Sequence, residues 1–218
     1  MGNTDKNGSV SISIRYCMRK CIAILEKSKA SPYSKAMLAR IRNSVGMPFS
    51  RNAELLALIY ENFPEGNASA GEKLTYEEKA IMTALQMYAL YNQGGNAGDF
   101  DSGGSIEASS DKNCRNMGAS LRVLRRLDTD DSKATDRRFN ALITAGDFEE
   151  FTYHLRHLIK LLKSRTSGAA IIDFAQLALD LYWFDRGQEE RTRLSWAREY
   201  YRVEYKENDE KEKKENDR

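Results

Sequence analysis

The stretch Phe148–Arg165, FEEFTYHLRHLIKLLKSR, opens acidic, closes basic and carries apolar residues throughout. At about 100° of rotation per residue, Phe151, Leu155, Leu158 and Leu162 share one side of a helix. Arg156, Lys160 and Lys163, spaced four and three apart, fall on nearly the opposite side. The spacing therefore predicts a helix with a core-facing stripe and a separate cationic stripe. Asp147 suits the N-cap, and Glu150 three residues later gives a box-like pattern. Acids at the start and bases at the end also complement the helix dipole. A solvated surface would show this charge order as readily as a binding face. The rest of the chain has to separate the two.

Working outward, the same period recurs and strand-like alternation is scarce. The chain has 218 residues, of which 41% are hydrophobic, 30% are charged and only three are proline. That is enough to bury a core in one large domain or two small ones. Helical patterns run over about 11–29, 32–45, 51–63 and 76–91, with Leu38, Ile41 and Val45 facing inward in the second. Ser31-Pro32 reads as a cap followed by proline at the first helical position, and Thr75–Glu78, TYEE, as a capping box. Further patterns cover about 116–127, 134–144, 148–165, a segment from Asp173 containing FAQLALDLYWF, and 188–205 with Leu194, Ala197 and Tyr201 inward.

The expected fold class is all-α, a helical bundle of about nine helices. Its expected organisation is an N-terminal helical bundle over 11–91, a flexible loop over 92–113, a C-terminal helical bundle over 114–205 and a disordered charged tail over 206–218. The loop is rich in Gly, Ser, Asn and Asp and the tail lacks apolar residues, so neither can offset its ordering entropy. Residues 1–10 read as disordered too.

Signals for chemistry are sparse. The two histidines, His154 and His157, lie three apart on one helix, and the chain has no second H-x-x-H or C-x-x-C, so no metal site is expected. Nor does any phosphate-binding glycine motif, nucleophile elbow or cofactor signature occur. The reading is not an enzyme and no cofactor. Cys17, Cys21 and Cys114 form no disulfide framework and suggest a reducing compartment. Cys17 and Cys21 share the apolar face of the first helix as packing residues. No apolar run reaches membrane-spanning length, and MGNTDKNGSV lacks a signal-peptide core, so a cytoplasmic location with no membrane partner is expected.

Net charge is only +2, so any nucleic-acid argument rests on how charge is distributed. Arg15, Arg19, Lys20, Lys27, Lys29, Lys35, Arg40, Arg42 and Arg51 are accompanied by one acid, Glu26. Arg115, Arg122, Arg125 and Arg126 stand in an acid-free segment, as do Arg156, Lys160, Lys163 and Arg165. Acids gather at Glu54–Glu78 and in the tail. Segregation of this kind suits a line of phosphates, each of which releases counterions when neutralised. The aromatics of LYWF (Leu181–Phe184) and SWAREYY (Ser195–Tyr201) read as core.

With these elements in order, the chain resembles the small subunit of type I-E CRISPR Cascade, the CasB family. The resemblance lies in RRFNALITAGDFEEFTYHLRHLIKLLK (Arg137–Lys163), IDFAQLALDLYWF (Ile172–Phe184) and RTRLSWAREYY (Arg191–Tyr201), with MGASLRVLRRL (Met117–Leu127) fitting a glycine-containing helix. The N-terminal half fits more loosely, through Pro48, Arg51, Leu55 and Leu56. The resemblance implies a non-catalytic helical subunit of an RNA-guided surveillance complex. Such a subunit acts in antiviral defence beside other Cascade subunits, with a second copy of itself head to tail. It also implies backbone contacts to CRISPR RNA and target DNA that hold the guide–target hybrid and the displaced strand. The nucleic-acid-binding residues it implies are Arg40, Arg42, Arg51, Arg137, Arg138, Arg156, Arg191 and Arg193; Lys160 and Lys163 join them from the stripe argument. It sets His157 where the family often has a basic residue, implying a weaker phosphate contact there. The alternative is a helical protein–protein adaptor whose basic faces meet acidic partners.

Overall fold

The computed structural model describes residues 3–27, 31–47, 53–63, 73–93, 115–127 and 132–203. Among them nine α-helices follow one another: α1 (Asn3–Lys27), α2 (Pro32–Asn43), α3 (Ala53–Tyr60), α4 (Tyr76–Tyr91), α5 (Met117–Leu127), α6 (Ser132–Ile143), α7 (Phe148–Thr166), α8 (Phe174–Trp183) and α9 (Glu189–Tyr200). No strand occurs among the described residues, and the fold class is all-α. Residues 94–114 and 204–218, with Cys114, most of the expected loop and the tail, lie outside the described residues, as do Pro48 and Arg51.

Helix starts follow their local chemistry. The Ser31 hydroxyl accepts the Ser34 N–H ahead of Pro32. Thr75 and Glu78 complete a reciprocal capping box, in which the Thr75 N–H donates to Glu78 at 2.8 Å. Asp147 accepts the Glu150 N–H at 2.7 Å, while the Glu150 carboxylate takes the N–H of Gly146 rather than that of Asp147. α7 ends at Thr166, where Ser167 turns into the left-handed region and Gly168 donates back to the Lys163 carbonyl.

Phe151, Leu155, Leu158 and Leu162 are all fully enclosed. Phe151 stacks on Phe184 at 4.0 Å and meets Trp196 at 5.3 Å, so α7 closes on the α8–α9 hairpin. Between α8 and α9 the chain makes a wide π-type turn, Phe184–Gln188, and bends at Gly187, whose φ of +78° suits a residue without Cβ. A second glycine sets a helix crossing. An added Cβ on Gly118 in α5 would sit against the Trp196 carbonyl oxygen and 2.7 Å from its carbonyl carbon. Asn116 locks the same crossing by donating to the Ser195 carbonyl at 3.0 Å. α8 lies against both α1 and α4, so residues from the two halves of the chain share one hydrophobic core.

The structure corrects the reading in several places. Residues 3–10 belong to α1, because Val10 packs against the core and helical bonding extends from there towards the N-terminus. Val45, expected inward, is 38% exposed just beyond the end of α2, and Leu194 is 52% exposed. In α9 the buried positions are instead Thr192, Trp196 and Tyr200. The last helix also stops at Tyr200 rather than 205.

Candidate nucleic-acid interface

α4 and α7 lie side by side in the same direction, tied at both ends. At the N-terminal end Lys79 reaches Glu149 at 3.3 Å and Asp185 at 3.1 Å, with its ammonium 4.0 Å from the Phe148 ring centre. At the C-terminal end the Lys163 ammonium donates to the carbonyls of Leu90 and Gln93. Both carbonyls stand at the C-terminal end of α4, where a cation also meets the negative end of the helix dipole. Desolvation, and then the neighbouring Arg42 on α2, pull the Lys163 ammonium below its ordinary pKa.

On this frame the cationic face of α7 stands at the seam between the helices. Arg156 is half-buried, and burial lowers its pKa with no opposing charge to offset it. Lys160, one turn on, is exposed. Lys160 and Lys163 line an open depression with Leu90, Gln93, Ser164 and Ser167. Arg156, Lys160 and Lys163 therefore share the cationic face of α7, and Arg42 of α2 stands close enough to Lys163 to act on its charge.

The remaining expected residues are dispersed. Arg137 and Arg138 are exposed on α6. Arg40 pairs with Glu54 across α2 and α3. Arg191 lies 5.0 Å from the centre of the Trp183 ring. Arg193 pairs with Glu190 at 2.7 Å, donates to the Ala145 carbonyl at 2.5 Å and lies over the Phe184 ring, pinning α9 to the turn before α7. Arg125, from an acid-free segment, pairs with Asp136 at 3.2 Å. Absence of acids along a segment is thus not absence of acids around it.

The sequence reading missed two features. Asp180 is a buried acid: it accepts from the Trp196 indole N–H and the Gln176 amide, each at 2.7 Å, and Arg15 in turn donates to Gln176. Burial pushes the Asp180 carboxyl up to about 6 despite those hydrogen bonds. Tyr153, exposed on α7, contacts His154 and His157 by ring edges. Its spacing from the cations was visible in the sequence, whereas nothing local marked Asp180. Among the described residues no group of three or more His, Cys, Asp or Glu is placed to hold a metal ion, and no helix is long and apolar enough to cross a membrane.

Fold and surface together define an all-α protein with a cationic seam between packed helices. The sequence profile of the family described as CRISPR-associated protein Cse2 matches residues 37–201, about three quarters of the chain. The chain belongs to this Cse2 (CasB) family, a structural subunit of Cascade in CRISPR defence, and its partners are other Cascade components. CasB from Thermobifida fusca, a solved crystal structure, has the same fold at 21% identity and a TM-score of 0.59. The alignment covers 88% of this chain and 98% of that one. No curated protein matches the chain.

Proposed function

We propose that the chain serves Cascade as a non-catalytic nucleic-acid-binding subunit in the cytoplasm, with the α2–α4–α7 seam tracking a sugar–phosphate backbone. The observation that carries this reading is Arg156. A half-buried guanidinium with no carboxylate in ion-pair range among the described residues is a cation held partly out of water without compensation. An anion arriving from solvent supplies what the fold omits. Lys160 extends the same face, and the exposed Arg137 and Arg138 add charge on α6. In the complex these residues hold CRISPR RNA paired with target DNA and steady the displaced strand, with a second copy of the chain head to tail.

The test is the salt dependence of binding. Arg156→Ala/Lys160→Ala should weaken binding to two single strands of unrelated sequence equally. The log–log salt slope should flatten by about 0.7 for each phosphate that is no longer neutralised, with the circular dichroism of the fold retained. An unchanged slope and affinity would leave the seam a solvated surface.

The adaptor reading also has an observation in its favour. Ile12, Tyr16 and Ile24 are exposed along α1, which precedes the profile match. An adaptor without nucleic-acid contact shows no salt-dependent binding of DNA or RNA.

A further inference from the structure

Tyr153, Arg156, His157 and Lys160 stand at positions i, i+3, i+4 and i+7 of α7, which places them on one helix face. Tyr153 is 60% exposed. Both of its ring contacts are edge-on: His157 at 4.6 Å with planes 65° apart, and His154 at 5.4 Å with planes 75° apart. His154 is in turn held near Glu150, at 3.8 Å. The imidazoles meet the phenol ring at steep angles and still leave more than half of the residue open to solvent. An exposed phenol ring beside two cations pairs an apolar face with phosphate-seeking charge on one surface.

Resting on the reading of the seam as a phosphate-binding face, we propose that Tyr153, braced by His157, is a stacking platform for an unpaired base. The ligand class is therefore a single-stranded nucleotide segment. Arg156 lies one turn from Tyr153, about 5 Å along the helix axis, comparable to the separation of a base from its own phosphate. One nucleotide can place its base on Tyr153 while its phosphate, or the next one, meets Arg156 or Lys160. Every base has a π face, so the stacking adds affinity without reading sequence. A base inside a duplex has no free face to offer, so the platform favours single-stranded over paired nucleic acid. Charge complementarity selects this occupant over an apolar protein segment, which would have to cover Arg156 and Lys160 without neutralising them.

The test uses the full chain and two oligonucleotides of the same length, one ordinary and one abasic throughout, each titrated at several salt concentrations. The expected result is that wild type binds the ordinary strand about fivefold or more tighter than the abasic strand. Tyr153→Ala should erase that preference, and Tyr153→Phe should keep it. The abasic strand should still show the salt slope set by Arg156 and Lys160. Equal binding of both strands by wild type, with the slope intact, overturns the platform and leaves the seam standing. Retention of the preference in Tyr153→Ala overturns it as well. Absence of salt-dependent binding by wild type overturns both readings together.

Discussion

Asp180 shows what one side chain can do inside this core. Its carboxylate takes two hydrogen bonds from neighbouring side chains, Trp196 on α9 and Gln176 on its own helix, while Thr192 donates to its backbone carbonyl at 3.2 Å. α8 and α9 are thereby joined through one residue. Desolvation outweighs those bonds and the nearby Arg15, raising the pKa from an ordinary 3.8 to about 6. In the folded protein the carboxyl stays protonated to a higher pH than in the unfolded chain. From about pH 4 to 6 the unfolded state therefore loses its proton first, and this residue's contribution to stability falls as pH rises. The loss is on the order of 3 kcal/mol, complete above about pH 6. Asp180→Asn should be destabilising at pH 4, because its NH2 group would face one of the two donors, whereas both oxygens of a protonated carboxyl can still accept. Its deficit relative to wild type should shrink, or reverse, by pH 7. Urea denaturation of both proteins across that range measures this, and a deficit that does not change with pH would contradict the assignment.

At the scale of the element, α7 does two jobs with one cationic stripe. Lys163 and Lys160 are three residues apart and look alike in sequence, yet the first closes α4 and the second faces solvent. Lys163→Met keeps the apolar stem and removes the charged donor. It should cost about 1 kcal/mol, the usual net worth of such a hydrogen bond at a partly exposed site. Lys160→Met should leave the thermal midpoint within error, because an exposed cation contributes little to folding. It should, however, take more from the salt slope of nucleic-acid binding than Lys163→Met does. The reverse pattern would mean that the ammonium of Lys163, not that of Lys160, meets the ligand.

For the whole molecule, the placement of α8 matters most. Though late in the chain, it packs on α1 and α4, and the buried residues of both halves form one core. A domain whose halves share a core unfolds as a unit. Tryptophan fluorescence reports Trp183 in α8 and Trp196 in α9, and far-ultraviolet circular dichroism reports all helices. The two denaturation curves should superimpose. Separated transitions would instead favour two independent bundles over 11–91 and 114–205.

The helices, their caps and their buried stripes were legible in the sequence because each is a local property. A capping box closes over four residues, and an apolar stripe is visible within three turns, so TYEE and Phe151–Leu162 needed no partner to be read. The resemblance in the last third of the chain was legible for the same reason: it is an ordered succession of such local patterns. Exposure at Val45 and Leu194 was not, since an apolar residue at a helix edge is covered only if another element arrives there. Which cations remain open was also a tertiary decision. Arg40, Arg193 and Lys163 are occupied by Glu54, by Glu190 with the Ala145 carbonyl, and by the end of α4. Some of those partners lie nearly fifty or more residues away, beyond any sequence window. Gly118 is the same lesson in the backbone: a glycine within a helix reads as a weakness until the main chain at Trp196 is found against it, where no side chain fits.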